Sequence, residues 1–365
     1  MVAITITDAN YLDIVRTLIA DNRKVRRGLN AQQLPSKGAG NRVRNCFVPR
    51  PGFTFLGADL SQIEPRIMAH IMYTQYGDNS MRQIFVEGVD LYTTMAMMTF
   101  DLPQEYCVDK AYDPTHTFQP RKMMKTGQLA KSYGQTPKAF AKKMGVTEDV
   151  AHEFFERFDK SFPSFTAMVT DTIEFMRKNG YVETLYGRKR RFPDYKRVAA
   201  DSAKTEQRLI RLYTDRKHLR NKSVLTPADE RKLTVIQDDI DILSEKRGLV
   251  GYWERAAFNG RIQGTGADVL KMIGNRNARE CRARGWEFNA SIHDEIKDSI
   301  PNDQLTRETV KLVSEIMTQT ATLSVPLVTD LVIEPRWMIE FGIDEWDFAN
   351  CRPLPEFANK YGEAA

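Results

Sequence analysis

The chain has 365 residues, of which 42% are hydrophobic and 28% charged, a length that holds two or three lobes at about 150 residues each. That composition excludes a mainly disordered, collagen-like or membrane-embedded chain. Lys and Arg number 53 against 48 Asp and Glu, a net charge of +5; the excess is compatible with nucleic acid binding without establishing it.

Met1 to Thr5 lacks the basic-then-apolar pattern of a signal peptide, and no apolar run approaches the roughly 18 residues that span a bilayer. The expected location is therefore the cytoplasm, with no membrane partner. Cys46, Cys107, Cys281 and Cys351 lie far apart with no CxxC pair, the pattern of reduced packing thiols rather than of a disulfide framework or zinc site.

In chain order, Val2 to Thr7 alternates like a short strand, and Asp8 can cap a helix from about Ala9 to Ala20. Arg23 to Arg44 is basic, rich in Gly, Gln and Asn, and reads as a loop with a turn at Pro35-Ser36-Lys37-Gly38. Phe53 to Ala58 is a short apolar strand that ends at Asp59, and Ile63, Ile67 and Ile71 then recur at helical spacing. Residues 80 to 180 carry helical periodicity broken at Gly145, Pro163 and Gly180. Tyr181 to Leu185 reads as a strand running into a basic turn, Gly187 to Arg191. Tyr195 to Val250 predicts a helical hairpin: Thr226-Pro227 with Asp229 is a helix start, followed by the apolar stripe Leu233, Ile236, Ile240, Leu243. A helix from Trp253 to Arg284 and a strand from Trp286 to Ile292 follow, the latter reaching His293-Asp294-Glu295. A few strands, many helices and no βαβ repeat give the α+β class.

Two strand ends thus present carboxylates, Asp59 and Asp294. Singly, such residues are more often caps or turn formers; on adjacent strands they would form an oxygen site suited to Mg²⁺, which takes one or two carboxylates plus substrate phosphates. Arg121 and Lys125 stand four apart on one helix face, a geometry that can hold a triphosphate. They belong to a run from Pro114 to Thr147 with seven basic and no acidic residues, against the usual mixed signs of a solvated face. Acids for two metals and a basic clamp are the parts of nucleotidyl transfer.

With these residues in place, the chain resembles the family A DNA polymerases of the bacterial DNA polymerase I type. Asp59-Leu60-Ser61-Gln62-Ile63-Glu64-Pro65-Arg66 is similar to their first palm motif, DYSQIELR. Arg121, Lys125 and Tyr133-Gly134 fit the RxxxKxxxxxxxYG frame of the fingers helix. Glu254 to Thr265 is similar to ERAAxNxxxQGT, and His293-Asp294-Glu295 to the last palm motif. Smaller echoes are Asn30 to Pro35, near NLQNIP, and Gly187 to Arg190, near GRRR.

The resemblance implies an α+β right-hand fold, a palm with a small antiparallel sheet and a helical fingers subdomain. It also implies roles. Asp59 and Asp294, with the backbone of Leu60, would hold two Mg²⁺ ions, and Glu295 would support the catalytic pair from beside them. Arg121 and Lys125 would bind the triphosphate, with Leu129 and Tyr133 beside the incoming nucleotide. Glu64 would crowd the sugar 2′ position against ribonucleotides. Arg255, Asn259, Gln263 and His293 would contact the primer-template, where groove contacts test base-pair shape. Three positions depart from the family pattern: Leu129 replaces an aromatic residue, Ala130 replaces the glycine that follows it, and Tyr92 stands where a fingers histidine is expected.

The expected layout is an N-terminal extension at 1–22, the first part of the palm at 23–79, fingers at 80–194, an inserted helical hairpin at 195–250, and the remaining fingers and palm at 251–365. About twenty residues precede the first resembling stretch, so the sequence leads one to expect no thumb or 3′–5′ exonuclease domain, and a separate protein supplying either. That pattern fits the catalytic subunit of a split bacteriophage polymerase acting in the host cytoplasm. Two other readings are a non-catalytic DNA-binding remnant, which would need none of Asp59, Asp294, Arg121 and Lys125, and a templated RNA polymerase, against which Glu64 argues.

Overall fold

The computed structural model describes residues 41–107, 119–193, 195–222 and 225–361. The expected strand at Val2 to Thr7, the helix after Asp8, and the Asn30 to Pro35 stretch lie outside these residues. The chain divides into two compact units, one made of the described residues up to Ile63 together with those from Val269 onward, the other spanning Glu64 to Asp268.

The first unit is built on an antiparallel five-stranded sheet. Its strands are β1 (Phe53–Leu60), β4 (Glu287–Ile292), β5 (Glu295–Pro301), β6 (Thr329–Glu334) and β7 (Phe341–Gly342), in the order β4-β5-β1-β6-β7. Here β2 (Tyr181–Glu183) and β3 (Lys189–Arg191) form a separate ribbon in the second unit. Because β1 is central, it is buried almost throughout and reads as an apolar run instead of an alternating one. Leu56, Ala58, Leu60, Ile296 and Ile300 are buried in the core. A helix at Arg307–Gln319 buries Val310, Val313, Ile316 and Met317, and Thr306 caps it by accepting the Thr309 N–H at 3.2 Å.

The second unit is helical. In chain order it holds α1 (Ile63–Tyr76), α2 (Ser80–Glu87), α3 (Leu91–Phe100), α4 (Pro120–Ser132), α5 (Pro137–Met144), α6 (Glu148–Ser161) and α7 (Pro163–Asn179). The breaks read from sequence are real: Gly145 and Gly180 take left-handed C-cap conformations, and Pro163 opens α7. Thr136 and Thr147 cap the helices that follow them. Phe140, Phe154, Phe158, Phe162 and Phe165 are all fully buried and pack in a chain of stacked, tilted and edge-on rings with centroids 5.1 to 6.0 Å apart.

Two boundaries differ from the sequence reading. The basic segment expected as a turn supplies β3, which pairs with β2 and places Lys189 3.3 Å from Glu183. The expected hairpin forms from α8 (Tyr195–Arg220) and α9 (Pro227–Arg284) around Leu209, Leu219, Ile236, Ile240 and Leu243, with Arg208 pairing to Asp239 at 2.9 Å. Its second arm does not stop near Val250. It continues as one helix of 58 residues, because no Pro or capping Gly interrupts the intrahelical bonds there. The four cysteines are free thiols; Cys107 and Cys281 are buried as expected, whereas Cys46 is exposed.

Candidate active site

In the first unit, antiparallel register sets the acids. Asp59, one residue before the end of β1, lies opposite Glu295 of β5 on one side and Asp330 of β6 on the other. Asp294 is not at a strand end: it occupies, with His293, the tight turn joining β4 to β5, and His293 adopts φ 56° there. The turn returns Asp294 to the end of β1, where its carbonyl accepts the Leu60 N–H at 3.2 Å. Burial, reinforced by the neighbouring Asp294, Glu295 and Asp330, pushes the Asp59 carboxyl up to about 7.

The other two acids are drawn aside. Ser61 donates to Asp330, and Lys297 lies 2.9 Å from Glu295. Among the described residues, no three His, Cys, Asp or Glu side chains are arranged to hold a metal on their own. Two converging carboxylates that repel one another, beside the Leu60 backbone, are nonetheless the donor set that a hard cation completes with waters and substrate phosphates.

In the second unit, Arg121 and Lys125 lie on the same face of α4, each 5.9 Å from the Tyr92 ring. Tyr92, at the start of α3, is buried with Leu91, Met95 and Ala96, and burial pushes its phenol up to about 12. Asp90, the N-cap of α3, grips Arg121 at two points, 2.9 Å from Nε and 2.8 Å from Nη2. Elsewhere in the basic run, Lys131 pairs with Asp159 and Lys138 with Glu148, so part of that run is paired within the fold. Leu129 is half-buried.

Tyr133 caps the C-terminus of α4, and Gln263 of α9 donates to its hydroxyl at 3.0 Å. Arg255 passes beside Gly134, where a Cβ would lie 3.1 Å from its Cγ. The ERAAxNxxxQGT segment thus splits by helix face. Arg255, Asn259 and Gln263 recur every fourth residue on one side. On the packed side Glu254 accepts from Arg177 and Tyr195, Arg261 donates to Thr172 and Gln75, and Thr265 accepts the Leu185 N–H. Burial, and after it the charge of Glu64, half-buried on α1, pushes the Tyr133 phenol up, and Glu64 adds a smaller contribution at Tyr92.

A family model described as DNA polymerase family A matches residues 23–339. The chain belongs to DNA polymerase family A. It is 28% identical over 310 residues to "DNA polymerase I, thermostable" of Thermus filiformis, covering 85% of this chain and 30% of that protein. It is 27% identical over 328 residues to DNA polymerase I of Deinococcus radiodurans, covering 90% of this chain and 28% of that protein. A structure titled "POL domain of Pol1 from M. smegmatis complex with DNA primer-template and dNTP" superposes with a TM-score of 0.61 at 24% identity, over 84% of this chain and 44% of that one. The chain thus spans about 30% of the length of the curated relatives it matches. The α+β class with a small antiparallel sheet agrees with this fold, and family A polymerases generally use divalent metal ions. Among the described residues, no helix is long and apolar enough to cross a membrane.

Sequence reasoning did not find Asp90, Asp330 or Lys297. Asp90 meets Arg121 across 31 positions, and Asp330 and Lys297 join the acids only through strand pairing, so no local spacing signals any of them.

Proposed function

We propose that this chain is a DNA-directed DNA polymerase that adds deoxynucleotides to a primer 3′-OH by nucleotidyl transfer with two Mg²⁺ ions. The observation that carries the reading is that the β4–β5 turn brings Asp294 to the end of β1 beside Asp59, its carbonyl accepting the Leu60 N–H, in a family A chain. Asp59, Asp294 and the Leu60 carbonyl would hold the metals, and Glu295 acts beside them. The ions, when bound, ease ionisation of the attacking hydroxyl and offset charge that develops on the phosphate. Arg121 and Lys125 bind the triphosphate, whose pyrophosphate leaves as the primer oxygen bonds to the α-phosphorus. Tyr133 and Leu129 border the nucleotide, and Glu64 excludes a 2′-hydroxyl. Arg255, Asn259, Gln263 and His293 take the primer-template.

In this reading, 23–79 and the last palm motif belong to the palm, 80–194 to the fingers, and 195–250 to an inserted hairpin. The test is primer extension by the purified chain and by Asp59→Ala and Asp294→Ala. Each substitution should lower the rate at least about a thousandfold, several kcal/mol of transition-state stabilisation, with the fold retained by circular dichroism. Activity within tenfold of wild type would remove the metal assignment.

A further inference from the structure

The sheet face that carries Asp59 is ordered in rows by the register. Asp59, Glu295 and Asp330 form the first row, Gly57, Lys297 and Val332 the second, and Phe55, Ser299 and Glu334 the third. Lys297 links the outer rows. Its ammonium is 2.9 Å from Glu295 Oε1 in the first row and is ion-paired to Glu334 Oε2 in the third. The Lys297 side chain is 4% exposed and that of Glu334 0%, whereas Glu295 keeps 22%. Glu334 is fixed in turn, because its other oxygen accepts the Met338 N–H at 2.9 Å. The ammonium is therefore anchored from behind, and Glu295 is the partner open to solvent.

Gly57 makes the arrangement possible. A Cβ at that position would lie 3.0 Å from Glu295 Oε1, 3.0 Å from Val332 Cγ2 and 3.1 Å from Lys297 Nζ. Glu295 Oε1 thus rests over Gly57, one row behind Asp59. A buried ion pair of this kind is a poor source of stability, since desolvation offsets most of the attraction. What it does supply is a fixed position for a carboxylate that would otherwise be free to swing toward Asp59.

We propose that Lys297, anchored by Glu334, is a positioning residue that holds Glu295 back over Gly57 and leaves the cation positions to Asp59 and Asp294. The proposal rests on the polymerase reading above. Its physical content is that a third carboxylate on the cations would compete with the waters and substrate phosphates that Mg²⁺ must also take. Release of Glu295 should therefore bind cations more tightly and slow turnover.

The test uses two variants of the full chain. Lys297→Met combined with Glu334→Gln removes both buried charges together and strands neither; Gly57→Ala keeps both charges and fills the space under Glu295. Mn²⁺ binding to the chain without substrate is followed by electron paramagnetic resonance, primer-extension kcat and KM are measured separately, and thermal unfolding reports the fold. In both variants the Mn²⁺ dissociation constant should fall about tenfold and kcat about 10- to 100-fold, with KM for primer-template unchanged. If the double variant does not fold, Gly57→Ala decides. Unchanged Mn²⁺ affinity and kcat in a folded variant would overturn the proposal and leave the pair a structural one. A wild-type chain that binds Mn²⁺ but extends no primer would overturn the polymerase reading instead, and the Mn²⁺ comparison would still decide the role of Lys297.

Discussion

Asp90 caps α3 and at the same time holds Arg121 in a two-point ion pair: its Oδ1 accepts the Thr93 N–H at 2.8 Å and the Arg121 Nε at 2.9 Å, while Oδ2 accepts Nη2 at 2.8 Å. The Arg121 guanidinium beside it, more than any other group, holds the Asp90 carboxyl down to about 2. In the proposed function a triphosphate on Arg121 competes with this carboxylate. Asp90→Asn keeps an acceptor for the cap and removes the competing charge. KM for the deoxynucleotide should fall about fivefold, the equivalent of about 1 kcal/mol for a partly exposed pair, with little change in melting temperature. Steady-state kinetics decide the direction: a rise in KM would mean that Asp90 aims Arg121 at the phosphates.

Glu64 gives a prediction about sugar choice. It lies near Tyr133 and Tyr92 on α1, and in the proposed function its bulk and charge reject a 2′-hydroxyl. Glu64→Ala should raise the ratio of kcat/KM for ribonucleotides to that for deoxynucleotides at least about tenfold, the scale of discrimination that a pocket of altered size provides. An unchanged ratio removes Glu64 as the gate.

In the proposed function Leu129 borders the incoming nucleotide, and it carries no hydrogen-bonding group that could stand in for a missing sugar 3′-OH. The chain should therefore reject dideoxynucleotides, and Leu129→Tyr should relax the rejection by about 1–3 kcal/mol, the cost of one unsatisfied polar group. Chain-termination assays at matched nucleotide ratios measure it. Equal termination by both proteins would show that Leu129 is not beside the sugar.

The parts of the fold that could be read from the chain are those whose signals are local. β1 is a short apolar run closed by Asp59, and α7 has Pro163 at its first position and Gly180 at its end. β5 could not be read in this way, because Lys297 and Asp298 interrupt its apolar residues. Both are buried, and what makes that tolerable is distant in sequence: Glu334 for Lys297, Asn277 for Asp298. The continuity of α9 was hidden for the opposite reason, since its apolar stripe turns from one set of partners around Ile240 to another around Ala257, and a change of face resembles an ending. Of the candidate site, the residues proposed for it could be named from motif spacing, whereas their counter-charges Asp90 and Lys297 could not, because they meet their partners only through the fold.

Gly127 on α4 tests how tightly the helix of Arg121 and Lys125 is seated. A Cβ there would lie 2.1 Å from Phe154 Cζ and 2.2 Å from its Cε1. Phe154 cannot retreat, because Phe100, Phe140, Phe155 and Phe158 surround it. Ala is favoured over Gly by about 1 kcal/mol in a helix, but overpacking costs about 1–3 kcal/mol. Gly127→Ala should therefore destabilise the chain, and because α4 must shift to accept the methyl group, KM for the nucleotide should rise with it. A gain in melting temperature would show that the aromatic cluster yields.

Asp298 sets a pH dependence of stability. It is fully buried on β5, and both its oxygens accept from Asn277 Nδ2, at 2.8 and 2.9 Å. Burial is the largest influence on it and pushes its carboxyl from 3.8 up to about 7. In the unfolded chain this group loses its proton near pH 4, whereas the folded chain retains it until about 7, so between those values the folded state binds more protons. Stability from this residue is then complete below about pH 4 and declines as pH rises toward 7, with a slope approaching about 1.4 kcal/mol per pH unit. Asp298→Asn does not titrate and lacks that slope, although its amide meets the Asn277 donor and costs stability at all pH values. Urea unfolding of both proteins at pH 5 and pH 7 isolates the difference: the variant should be at its greatest disadvantage at pH 5 and recover relative to wild type at pH 7. Parallel profiles would mean that Asp298 is already ionised in the folded chain, with Asn277 and the Cys281 thiol outweighing the effect of burial.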